Sequence, residues 1–208
     1  MNPPAASEPA APLVQAGTPG RVRRFPVPRI AFDAGAVVGA RTGVGQATAG
    51  LLEALGAAWP EMWPPPIAWI NSPRHDLPAG DTWMQRGNFE VVHTRFSGKA
   101  LLRGWQWLDW PPVERWLGPL DLIHSPSGVV PSARRARRVV TVHDLYFRHR
   151  LDHTDAYGGK YLAATYGKRL QRADRIFCIS EFTRSELLRF YPLDPNKIEV
   201  VHWGIDFA

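Results

Sequence analysis

The chain has 208 residues, 45% of them apolar and 11% aromatic, which is enough to bury a sizeable core and excludes a disordered protein. Its formal charge of +6 favours anionic partners, whether phosphates, acidic lipid head groups or nucleic acid, without choosing among them. No apolar run approaches the ~18 residues that span a bilayer, and a single cysteine, Cys178, excludes an intrachain disulfide and fits a reducing, cytoplasmic setting.

Residues 1–27 are rich in Pro, Ala and Gly and offer almost nothing to bury, so a disordered tail is expected there. It makes a poor secretory signal, because Arg21, Arg23 and Arg24 follow the small residues instead of preceding an apolar segment. One domain is expected over 28–208. "RIAFDAGAV" reads as its first strand, and the glycine-bearing loop "GARTGVGQ" leads into a helix from about Val44 to Ala58, where Val44, Ala47, Leu51, Leu55 and Ala58 recur at helical spacing. "PIAWI" and "FEVVH" read as strands two and three. "GKALLRGWQWLDWPPVERWLG" predicts a helix, a break at Pro111-Pro112, and another turn or two. Four strands follow, in "LDLIHSPSG", "RRVVTVHD", "DRIFCIS" and "NKIEVVHWG", with helices in "YGGKYLAATYGKRLQRA" and "SEFTRSELLRFY". The last helix starts either with Ser180 as its cap and Glu181 in its first turn, or later, with Thr183 and Glu186 as a capping box. Alternating strands and helices of this kind predict an α/β, Rossmann-like doubly wound domain around a mostly parallel sheet.

In such sheets ligands bind outside the carboxyl ends of the strands. Three successive strands end in polar pairs, His124-Ser125, His143-Asp144 and Ser180-Glu181, and these pairs are predicted to open onto a cleft. Gly39, Gly43 and Gly45 precede a helix whose amino end could receive a phosphate, or they simply make a tight turn; the pattern is not G-x-G-x-x-G, so a dinucleotide is not expected. His143, Asp144, His149, Asp152, His153 and Asp155 are metal-binding residue types, yet they show no compact ligand spacing, and no metal is expected. The run "ARRARR" (Arg134, Arg135, Arg137, Arg138) is a solvated basic surface or a contact for an anionic membrane or phosphorylated ligand. Trp105, Trp107, Trp110 and Trp116, with Leu101, Leu102 and Leu108, form either a core helix or an interfacial surface flanked by Lys99, Arg103 and Arg115. No nucleic-acid-binding motif accompanies them, and a nucleic-acid partner is not expected.

"RTGVGQATAGLLEAL", "VVTVHDL" and "RADRIFCISEFTRSELLRFYPLDPNKIEVVHWGID" together resemble the N-terminal half of family 4 glycosyltransferases, retaining enzymes of the GT-B fold. The likeness runs from about Arg29 to Asp206 and is most specific from Val139 onward. It departs from the family at His202-Trp203, where Pro-Asn is common before the final Gly-Ile-Asp. The resemblance implies transfer of a sugar from a nucleotide-sugar to a glycan or lipid-linked acceptor with retention, as in polysaccharide biosynthesis, with no cofactor beyond the donor substrate. It implies that the donor is held mainly by a second, C-terminal Rossmann-like domain, absent from this chain and supplied in cis or in trans. Glu53 and Glu61 have the E-x7-E spacing of that domain's motif but lack its context. Carried over residue by residue, the resemblance sets Gly43 and Gly45, helped by Arg41, against the donor diphosphate. His143 then lies near the sugar's reacting carbon as the catalytic candidate. Asp144 would orient His143 or bind acceptor hydroxyls, and Ser180 and Glu181 join the substrate-binding set. The expected setting is cytoplasmic, with peripheral contact at the inner face of the membrane. The competing reading is a non-catalytic Rossmann-like module, or a truncated remnant, that needs a partner domain.

Overall fold

The computed structural model describes residues 27–39, 42–61, 63–75, 80–86, 88–149 and 159–204. Seven strands, β1 (Ile30–Asp33), β2 (Ile67–Asn71), β3 (Glu90–Thr94), β4 (Leu122–Ser125), β5 (Arg137–Val142), β6 (Arg175–Cys178) and β7 (Ile198–Val200), form one sheet in the order β3-β2-β1-β4-β5-β6-β7. Every neighbouring pair is parallel. The helices are α1 (Gly43–Ala58), α2 (Thr82–Arg86), α3 (Gly98–Trp107), α4 (Glu114–Leu117), α5 (Tyr146–His149), α6 (Gly159–Leu170) and α7 (Glu181–Phe190). This is the doubly wound Rossmann-like architecture that the alternation of elements predicts. The first strand is shorter than "RIAFDAGAV", because the chain turns into a single 3-10 turn at Gly35–Val37. The short helices α2 and α5 are additions to the predicted set.

Side chains on a strand alternate between the two faces of the sheet, and the helices divide accordingly. Phe32, Ala68 and Ile70 pack under Ala49 and Leu52 of α1 and Trp83 of α2. On the other face Ala31, Ile67, Trp69 and Ile123 pack under Leu101 and Trp105 of α3 and Leu117 of α4. The register sets Ile123 beside Arg138 and Val140 beside Ile176, so the cluster of Val140, Val142, Ile176 and Cys178 under α6 and α7 continues that second face. The chain winds outward from β1 to β3, then crosses back to begin β4 beside β1. The winding direction thus reverses between β1 and β4, and the crevice of the fold opens outside their carboxyl ends.

Candidate active site at the carboxyl rim

At the reversal point the last residues of β1 and β4 are tied together. Ser125 Oγ donates to Asp33 Oδ2 at 3.1 Å, and the backbone N–H of Gly35 donates to Asp33 Oδ1 at 3.0 Å. Ser125 Oγ also lies 3.3 Å from Ser127 Oγ. Asp33 therefore pins the start of the β1–α1 connection to the end of β4. Lost hydration raises its carboxyl above the ordinary aspartate value, with the Gly35, Ser125 and Ser127 hydrogen bonds opposing the rise. Nothing in the sequence reading singled out Asp33; its signal was an acid ending the first apolar run, at the strand beside which the fold reverses.

The β1–α1 connection ends at Thr42, whose side chain accepts from the Gly45 N–H at 3.4 Å and so caps α1. Gly43 is exposed, and among the described residues a Cβ there would meet nothing within 4 Å, so none of them covers the amino end of α1. Gly45 is buried beneath it. Arg41 lies outside the described residues, as do Asp152, His153 and Asp155.

His143 follows the last residue of β5 and is half-buried. Its Nε2 lies 2.6 Å from the Pro126 carbonyl oxygen, which accepts only, so Nε2 carries the hydrogen and Nδ1 of the neutral ring is left as an acceptor. Trp203 stacks on the imidazole, with ring centroids 5.3 Å apart and planes 29° from parallel. Trp203, where the sequence departs from the pattern it resembles, thus supplies a wall for the candidate histidine. Asp144 is exposed, and its Oδ1 accepts from the Tyr146 N–H at 3.1 Å, which turns this carboxylate toward the start of α5. The hydrogen bond and the stacking that orient His143 come from Pro126 and Trp203.

Ser180 is the cap of α7: its side chain accepts from the Thr183 N–H at 3.1 Å, which selects the earlier of the two predicted starts. Thr183 Oγ1 donates to the His143 carbonyl at 2.9 Å, fastening the end of β5 to the first turn of α7. Ser180 and His143 are linked through Thr183, and the exposed Glu181 opens α7 beside them. Among the described residues no hydrogen bond joins this group to Gly43 or Gly45; what they share is the rim, with two inter-strand steps, ~10 Å, between the ends of β1 and β5.

One predicted polar tip does not reach the cleft. His124 is buried, not exposed, with Nε2 2.9 Å from Thr141 Oγ1 and its ring edge-on to Phe32 and Phe177. It sits one residue before the strand's end, where the pleat turns it onto the face of the sheet. Desolvation lowers its pKa to about 4, so it is a neutral structural histidine. Ser125 is buried as well, in its bond to Asp33. Cys178 is fully buried, and burial pushes its thiol up to about 11, which marks a packing residue and not a nucleophile. Among the described residues no group of three His, Cys, Asp or Glu side chains is placed to hold a metal ion, and no helix is long and apolar enough to cross a membrane.

A parallel doubly wound sheet with an open helix amino end and an oriented histidine on one carboxyl rim is the layout of a ligand-binding α/β domain. Residues 69–208, more than half of the chain, match the profile of Glycosyltransferase Family 4, and the chain belongs to that family. Among solved structures it is similar to HepE of Anabaena, crystallised in complex with UDP, with 12% identity and a TM-score of 0.48 over 86% of this chain. The likeness covers 44% of HepE, so the chain spans less than half of that protein's length. No curated protein matches it.

Proposed function

We propose that this chain is the acceptor-side domain of a retaining glycosyltransferase, which moves a sugar from a nucleotide-sugar to a glycan or lipid-linked acceptor in the cytoplasm. Family membership supports glycosyl transfer. The observation that carries the assignment of roles is the His143 imidazole, fixed by the Pro126 carbonyl and the Trp203 ring at the carboxyl end of β5, on the rim where α1 presents its open amino end. In this reading Nδ1 accepts a hydrogen bond from a donor-sugar hydroxyl and positions the reacting carbon. The amino end of α1 at Gly43 and Gly45, with Arg41, faces the departing diphosphate, where its dipole favours negative charge. Asp144, Ser180 and Glu181 line the acceptor side. No metal is required, because the leaving charge is met by helix ends and cations.

A second Rossmann-like domain, in cis or in trans, holds most of the donor. Juxtaposing donor and acceptor and stabilising the leaving diphosphate supply most of the rate in such a transfer, so the 208-residue chain alone turns over slowly. The test compares release of nucleoside diphosphate from UDP- and GDP-sugars by the chain with and without its companion domain, and reads the anomer of the product. In the complete enzyme His143→Ala is expected to lower kcat on the order of a hundredfold, the usual cost of removing one transition-state hydrogen bond. Full turnover by the isolated chain, or an His143→Ala enzyme with parental kcat, would overturn the reading.

A further inference from the structure

The tryptophans between residues 105 and 116 divide into two pairs. Trp105 and Trp116 lie against Trp69 in the core, each with its ring centroid 5.9 Å away. Trp107 and Trp110 face outward, 67% and 54% exposed, and Leu108 between them is 73% exposed. Such exposure on three large apolar side chains within four residues describes a projecting turn, not the edge of a core.

The turn is held rigidly from behind. Asp109, at a φ of 48°, offers its carboxylate to Arg138 through a paired bond, Nη1 to Oδ1 at 3.0 Å and Nη2 to Oδ2 at 2.8 Å. Ser132 Oγ donates to the Asp109 carbonyl, and the Trp105 indole donates to the Pro111 carbonyl at 2.8 Å. Polar groups from three segments thus keep Trp107, Leu108 and Trp110 pointing into solvent.

Cations surround the turn. Lys99, Arg103 and Trp107 recur every four residues on the outer face of α3. The Arg115 guanidinium sits 5.9 Å over the Trp110 ring. Glu114 bonds the backbone N–H groups of Arg134, Arg135 and Ala136, which brings the basic run beside α4 and leaves the exposed Arg134 and Arg135 guanidiniums facing out. Arg134, Arg135, Arg137, Arg138 and Arg172 line a cavity of about 420 Å³ next to Asp109. Among the described residues, no carboxylate pairs with the guanidinium of Arg103, Arg115, Arg134 or Arg135.

We infer that the Trp107–Trp110 turn and its ring of arginines dock this domain on the surface of an anionic lipid bilayer. Indole and leucine side chains enter the head-group boundary, where tryptophan is favoured, and the arginines bind lipid phosphates at the level just outside it. A second copy is a poorer occupant, because a two-fold contact through this turn would bring the two arginine rings together. The turn lies beside Arg137 and Arg138, which open β5, on the rim opposite His143. Docking there leaves the proposed sugar-transfer rim open, and the inference stands or falls independently of that proposal.

The experiment is co-sedimentation of the full chain with vesicles of phosphatidylcholine alone and of phosphatidylcholine mixed with phosphatidylglycerol, at low and high salt. Binding is expected to the mixed vesicles only and to weaken with salt. Trp107→Ser combined with Leu108→Ser should lower affinity at least about tenfold. Arg115→Gln and Arg134→Gln should each lower it by about fivefold. All these residues are exposed, so the melting temperature should stay at the parental value, and His143→Ala should bind as the parent does. Equal binding to both vesicle types, binding unchanged by the double substitution, or a dimer in solution that the double substitution dissolves without any vesicle binding would each overturn the inference.

Discussion

Asp33 shows how a single side chain can hold a rim together at a cost to stability. Its carboxylate accepts from the Gly35 N–H and from Ser125 Oγ, while lost hydration raises its pKa above 3.8. A carboxyl with a raised folded pKa favours the fold fully below the unfolded value, and that contribution disappears as pH climbs through the folded value. At neutral pH, where the unfolded chain carries this group ionised, burying it is therefore a burden. Asp33→Asn keeps an acceptor for Gly35 and supplies a donor for Ser125. Its melting temperature is expected to exceed the parent's at neutral pH, with the difference closing toward acid; a lower melting temperature at neutral pH would contradict this account. At this scale the sequence was readable only in part. His143 and Ser180 stood out because they follow apolar runs directly, whereas Asp33 was hidden inside a strand assignment that ran too far. His124 was misplaced because one residue along a strand exchanges the rim for a sheet face, a distinction that hydrophobicity alone does not carry.

At the scale of elements, the same substitution should have opposite effects in two helices. Gly50 lies exposed in the middle of α1, and a Cβ there would meet nothing within 4 Å. Gly50→Ala is expected to stabilise by about 0.5–1 kcal/mol through helix propensity. Gly104 lies in α3, and its Cβ would fall 2.4 Å from the Trp110 carbonyl oxygen, a backbone atom with little room to withdraw. Gly104→Ala is expected to destabilise by about 1–3 kcal/mol. Thermal melts of the two variants decide the matter; a stabilised Gly104→Ala protein would mean that the α3 turn is looser than its bonds to Asp109 and Pro111 suggest. All seven strands and the longer helices were legible, because each carries several residues of period-two or period-3.6 patterning. The helices α2 and α5, of five and four residues, contain barely more than one turn and give no periodicity to read. The tryptophan stretch was ambiguous for a related reason: Leu101 and Trp105 lie on one face of α3, buried in the core, and Arg103 and Trp107 lie on another, exposed.

For the whole molecule, two of the described groups that shape acid stability pull in opposite directions. His124 is neutral in the fold, held by Thr141 and enclosed by Phe32 and Phe177, with its pKa lowered from 6.5 to about 4. A base with a depressed folded pKa contributes fully above the unfolded value, and the contribution fades as pH falls from there through the folded value. The difference amounts to about 3 kcal/mol, or roughly 6–12 °C in melting temperature for a domain of this size. Asp33 works against this loss, because its raised pKa favours the fold as pH falls toward the unfolded aspartate value. The parent should therefore lose less than the His124 contribution between pH 6.5 and 4, and the Asp33→Asn protein should show that loss undiluted. His124→Gln retains a hydrogen-bonding partner for Thr141 but has no proton to gain. It is expected to melt lower at pH 7 and to show a flatter profile across the interval. Circular-dichroism melts at half-unit steps of pH measure this directly; a His124→Gln slope equal to the parent's would mean that some other group governs the acid lability of the sheet.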